Sequence, residues 1–205
     1  AGKLDGEFAK YYKNLWFKKI EEKIIESENV SDFNMAVRKL NETLNNNTLD
    51  QEKCFYILRV LEKLVPVMKE KFHSPEAKRI LYVLFDIGVT ACCHIGDSKG
   101  AEEYFEKCKQ YAGLVSLDAY LSTRNKLVVG CCDYFEIDRA EELSDENMRY
   151  QNQLTGFKKK LELPGVGDNG FEAMGKAHSQ RGQVYAFKRE RRAEVEFRAA
   201  LVHFE

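Results

Sequence analysis

Proline is almost missing from this sequence: Pro66, Pro75 and Pro164 are the three in 205 residues, so long helices can run with few breaks. A surplus of one charge is also missing. The chain carries 32 basic and 33 acidic residues and a formal net charge of −1, so no global field favours nucleic acid or an anionic membrane. Its apolar runs are interrupted by charge well short of the ~20 residues that a membrane-spanning helix needs. No pair of cysteines has the C-x-x-C spacing of common zinc sites. Nor does a secretory signal pattern open the chain. It starts without methionine and stops inside a strong helical pattern at Phe204-Glu205, which reads as a fragment of a longer protein.

Six cysteines are present: Cys54, Cys92, Cys93, Cys108, Cys131 and Cys132. All lie within apolar helical runs, whereas disulfide scaffolds are small and rich in loops. They read as reduced thiols of a cytoplasmic protein. Asn29-Val30-Ser31, Asn41-Glu42-Thr43 and Asn46-Asn47-Thr48 match the glycosylation tripeptide, a pattern common by chance.

Helical periodicity dominates throughout, and no stretch sustains the alternation of a strand. Helices are expected at about 5–28, 31–44, 50–73, 75–95, 99–111, 117–135, 139–161, 170–188 and 190–204. Ser74-Pro75-Glu76 is a helix start: a capping serine, proline in the first turn and an acid beside it. Ile80 to Val89 is apolar on nearly all sides, so that helix should lie between neighbours. Pro66 should kink the third helix. Most turns are short, which implies antiparallel neighbours.

Self-similarity is the most informative feature. Cys92-Cys93, seven residues, then Ala101-Glu102-Glu103 is matched by Cys131-Cys132, seven residues, then Ala140-Glu141-Glu142, and Val89 corresponds to Val128. A third copy, shorter by one residue, runs from Tyr185-Ala186 to Ala193-Glu194. A period of this size in helical sequence signals stacked helix pairs. Arg181-Gly182-Gln183-Val184-Tyr185, followed by Ala193, Phe197, Ala200 and Leu201, resembles the glycine and tyrosine of the first helix and the alanine, aromatic and Ala-Leu of the second helix in tetratricopeptide repeats. Gly96, Asp97, Ala101 and Phe105 fit the same pattern; Ser144 and Asn147 depart from it.

The resemblance covers about residues 75–205. It implies an all-α fold, a right-handed superhelical stack of antiparallel helix pairs (an α-solenoid), with pairs at about 75–112, 116–162 and 168–205. Residues 1–72 would form a cap or a divergent hairpin. The small residues Ala101, Ala140 and Ala193 fall where paired helices should cross closely, with Phe105 and Phe197 filling the space between pairs. An irregular helical bundle with coincidental Ala-Glu pairs is the other architecture compatible with the pattern.

Several motifs have simpler explanations than chemistry. Neighbouring cysteines on a helix point roughly 100° apart, so Cys92-Cys93-His94 and Cys131-Cys132 do not aim at one metal ion. Gly165-Val166-Gly167-Asp168-Asn169-Gly170 spells a dinucleotide fingerprint but lacks the preceding strand, and reads as a loop with Asp168 or Asn169 capping the next helix. Lys188, Arg189, Arg191, Arg192 and Arg198 are interleaved with Glu190, Glu194 and Glu196, as in a solvated turn with ion pairs. His73, His94, His178 and His203 are scattered, and no catalytic residue, metal or cofactor is assigned.

The resemblance makes protein or peptide binding the expected function, by a module that regulates or recruits another domain. First-helix residues turned away from the core would line its groove: Asp86, Thr90 and His94; Asn125, Lys126 and Asp133; Lys176, Ser179, Gln180 and Gln183. Domains of this family that clamp chaperone C-termini use a set of Lys, Asn and Arg of which only Lys176 is matched, so chaperone-tail binding is not expected. Self-association through an exposed end of the stack is a further expectation. An enzymatic or nucleic-acid-binding helical domain with its site in the groove is the second reading.

Overall fold

A computed structural model describes residues 18, 19, 22, 29–45, 51–134, 136–161 and 169–204. Most of the helix expected at 5–28, and residues 165–168 of the glycine-rich loop, lie outside the described residues, as does the side chain of Asn169. Among the described residues the regular structure is all helical: α1 (Val30–Asn45), α2 (Gln51–Lys71), α3 (Pro75–Ile95), α4 (Ser98–Lys109), a 3₁₀ turn (Ala112–Leu114), α5 (Leu117–Asp133), α6 (Ile137–Leu161), α7 (Asn169–Phe187) and α8 (Arg192–Phe204). None of the helices described is long and apolar enough to cross a membrane.

Local chemistry sets the boundaries. The Ser74 hydroxyl accepts the Ala77 N–H at the start of α3, Asp97 accepts from Gly100 N at the start of α4, and Ser116 accepts from Ala119 N at the start of α5. Each satisfies a first-turn donor that has no partner inside its helix. Gly96 ends α3 in the left-handed region, at φ 81°. Pro66 sits on the exposed side of α2, and the helix continues past it. The last turn differs from the sequence reading: α8 begins at Arg192 rather than Glu190, because Lys188–Arg191 form a turn in which Arg189 takes a φ of 56°.

The central helix is α3. It packs against α1, α2, α4 and α5, which explains why Ile80, Leu81, Tyr82, Leu84, Phe85, Ile87 and Val89 are all buried. Downstream, α5 touches α3, α4, α6 and α7, while α7 touches α5, α6 and α8. Thus α3 contacts α5 and α5 contacts α7, and each of the three also contacts the even-numbered helices beside it.

Small residues make these crossings close. A Cβ at Gly88 would run into the Tyr104 ring, and one at Gly182 would come 2.7 Å from Phe197 Cε1, so glycine at both positions lets an aromatic ring of the paired helix rest on bare backbone. Ala101 and Ala140 are fully buried, as expected at a crossing. Ala193 is only half-buried, and Phe197 stays 38% exposed, because α8 has neighbours on one side among the described helices. Val195, Leu201 and Val202 on α8 are also exposed. Phe105 fills the space between pairs, stacked on Tyr120 with ring centroids 5.8 Å apart.

Ala140→Leu should overpack the α5–α6 crossing and cost roughly 1–3 kcal/mol, with a smaller cost for Ala193→Leu. Urea midpoints of the two variants check the order.

Candidate functional site

Residues of α3, α5 and α7 line an open recess of about 410 Å³. Thr90, Cys93 and His94 come from α3. Ser122, Asn125, Lys126, Val129, Gly130 and Asp133 come from α5, and Lys176 and Gln180 from α7. Seven of the ten residues expected in a groove are therefore on this one surface. The other three lie elsewhere: Asp86 is held between α3 and α5, Ser179 is half-buried on α7, and Gln183 is exposed on α7.

The floor is tied together across α3 and α5. Both Asp86 carboxylate oxygens accept from Lys126 Nζ, at 2.8 and 2.7 Å, and the Thr123 hydroxyl donates to Asp86 Oδ1 at 2.8 Å. Lys126 thus reaches the recess with its charge already matched. Thr90 turns its hydroxyl back to the Asp86 carbonyl. The Cys93 thiol donates to the Lys126 carbonyl at 3.6 Å, and burial pushes its pKa up to about 12, so at neutral pH it is a protonated packing group rather than a nucleophile. Among the described residues no group of three His, Cys, Asp or Glu is disposed to hold a metal ion.

The amides of the recess have defined polarity. Arg124, on α5 beside Asn125, donates from Nε to Asn147 Oδ1 at 2.5 Å. A guanidinium has no acceptor, so the Asn147 oxygen must face it and the Asn147 NH₂ must face away. That NH₂ donates to Asn125 Oδ1 at 2.8 Å, which leaves the Asn125 NH₂ as the end turned to the recess. Gln180 Oε1 is buried without a donor among the described residues. The recess therefore offers a donor on α5, which suits the C=O of a peptide unit, and Gln180 lines it from α7 with its oxygen buried.

Arg124 was not legible as a functional residue from its own neighbourhood in sequence, but the 39-residue register marks it. In that register Arg124 stands where the preceding hairpin has Phe85, Asn147 where it has Cys108, and Ser144 where it has Phe105. Phe85 packs on Tyr111 with centroids 5.9 Å apart, and Arg124 lies 5.4 Å from the ring of the corresponding Tyr150. Arg124 also sits 5.5 Å from the Phe105 ring and is ion-paired with Glu146 at 2.5 Å. That guanidinium holds the Glu146 carboxyl below the usual carboxylate range.

At the last hairpin the cations of the basic cluster are largely engaged: Lys188 with Asp138 and Glu141, Arg192 with Glu190, and Arg198 with Glu194. Arg181 reaches Asp145 at 3.0 Å. His178 Nδ1 is 2.6 Å from Glu196 Oε2, and its ring stacks on His203 at 5.4 Å.

No protein-family model, no curated protein and no solved structure matches the chain.

Arg124→Ala should cost roughly 2–5 kcal/mol, because it empties a buried volume and leaves the buried Asn147 oxygen without its donor. Arg124→Phe combined with Asn147→Cys, which transplants the preceding hairpin's residues, should cost less; denaturation curves of the three proteins decide. The lowered Glu146 pKa stabilises the fold above the ordinary carboxylate pKa of about 4.3, and the contribution disappears as pH falls through the lowered folded value. The stability gap between the parent and Glu146→Gln should therefore narrow from about pH 6 to about pH 3 in urea titrations.

Proposed function

We propose that this chain is a tetratricopeptide-like binding module, a right-handed solenoid of helix pairs whose first helices present an extended peptide segment of a partner protein with the recess between α3, α5 and α7. The observation that carries this reading is that polar side chains from three helices of three successive pairs line one open surface, with a donor fixed at Asn125. An extended backbone supplies the acceptor for that donor, and side-chain specificity then falls to Asp133, His94 and Lys176 at the margins. The module recruits or regulates through the bound partner; nothing in its mechanism requires a reaction.

Ser122 gives a clean test, since it is exposed, lines the recess and anchors none of the bonds described above. A peptide selected from a random display library on the parent protein should bind Ser122→Arg at least roughly tenfold more weakly in fluorescence anisotropy, a loss of about 1.4 kcal/mol, with an unchanged melting temperature. Selection of no peptide, or equal affinity for both proteins, would reject the recess as a peptide groove and leave the enzymatic or nucleic-acid reading.

A further inference from the structure

A second cavity, of about 720 Å³, is lined by Lys109, Tyr120, Arg124, Glu146, Arg149 and Tyr150, at the meeting of α4, α5 and α6. It shares no lining residue with the peptide recess. The preceding hairpin fills the equivalent place with Phe85 and Cys108, so this architecture does not need a guanidinium there. Arg124 is nonetheless 1% exposed, at a site where desolvating a cation is expensive.

Its bonds do not use the whole guanidinium. Nε donates to Asn147, and Nη2 donates to Glu146 and, at 3.4 Å, to the Leu143 carbonyl. Nη1 makes no hydrogen bond or ion pair among the described residues. A buried cation with donors to spare thus lines a cavity that holds two more cations. Arg149 is exposed and has no ion pair among the described residues, while Lys109 lies over the Phe105 ring and is ion-paired only with an exposed Glu106 on its own helix, a weak partner in water. Among the described residues Glu146 is the single carboxylate on the lining.

We propose that this cavity binds a phosphate monoester, its phosphate held by Arg124, Arg149 and Lys109 and the organic group it esterifies laid against Tyr120 and Tyr150. A phosphate carries about −1.5 to −2 charges and three acceptor oxygens, enough to outweigh the Glu146 charge where a single carboxylate would not. The guanidinium fork suits its oxygens. The volume far exceeds a bare phosphate and falls in the roughly 300–1,000 Å³ range of small-ligand pockets, and two tyrosine rings complete the wall. A phosphorylated tyrosine side chain and a nucleoside monophosphate both present this chemistry.

Calorimetric titration of the intact chain at low salt tests it with inorganic phosphate, phenyl phosphate and benzoate. Phenyl phosphate should bind best and benzoate worst. Arg149→Ala and Lys109→Ala change exposed side chains and should each weaken phenyl phosphate at least roughly fivefold, about 1 kcal/mol, without shifting the melting temperature. Arg124→Lys, which keeps the charge and loses the fork, should weaken it as well. Adenosine monophosphate and a short phosphotyrosine peptide, compared with phenyl phosphate, separate the two sources; tighter binding of either supports the proposal and names the source. No binding of phenyl phosphate up to about 10 mM, affinity for benzoate equal to that for phenyl phosphate, or equal affinity in the parent and both alanine variants overturns it. Peptide binding in the other recess is read separately with Ser122→Arg, so either result stands without the other.

Discussion

A guanidinium neither accepts a hydrogen bond nor gives up its proton under ordinary conditions, and burying one forces its surroundings to arrange themselves as acceptors. Arg124 imposes that arrangement on the middle of this protein. Asn147 must show it an oxygen, so Asn147 shows its NH₂ to Asn125, and Asn125 in turn shows its NH₂ to the recess. Glu146 is drawn in from the other side. One buried charge thereby sets the polarity of side chains on two faces of α5 and links the interior of the α5–α6 pair to the open surface.

Backbone proximity makes this possible. Gly88 and Gly182 admit rings where any side chain would hold the helices apart, and Ala101 and Ala140 do the same within their pairs. With the paired helices close, α3, α5 and α7 come into contact in sequence, and residues more than 80 positions apart, such as His94 and Lys176, line one surface. Alanine and glycine add little apolar burial of their own; their contribution is the approach they allow.

The two cavities differ in electrostatic character. In the recess the Lys126 charge is answered by Asp86, amides and hydroxyls line the middle, and charges of both signs, Asp133 and Lys176, stand at the margins, which suits a peptide. In the other cavity, among the described residues, three cations face one carboxylate. Register substitutions explain the contrast: the α3–α4 pair closes its interior with Phe85, Phe105 and Cys108, whereas the α5–α6 pair carries Arg124, Ser144 and Asn147, and Ser144 Oγ is buried without a partner among the described residues. The second pair carries a polar interior that its sibling does without.

Periodicity, caps and the near absence of proline determined the helices: Ser74, Gly96, Asp97 and Ser116 act within a few residues of themselves, and such signals can be read along a line of sequence. The resemblance implied a groove face, and seven of the residues it pointed to, Thr90, His94, Asn125, Lys126, Asp133, Lys176 and Gln180, line one recess, because a helical face is itself a periodic property. What the sequence could not supply was partnership. Asp86 has the same face and spacing as its neighbours, yet Lys126 and Thr123, some 40 residues away, take it out of the recess. Nothing in its own stretch of sequence sets Arg124 apart until α4 and α6 close over it. Local sequence encodes which way a side chain points; only tertiary packing decides what stands opposite, and hydrogen bonding and desolvation depend on what stands opposite.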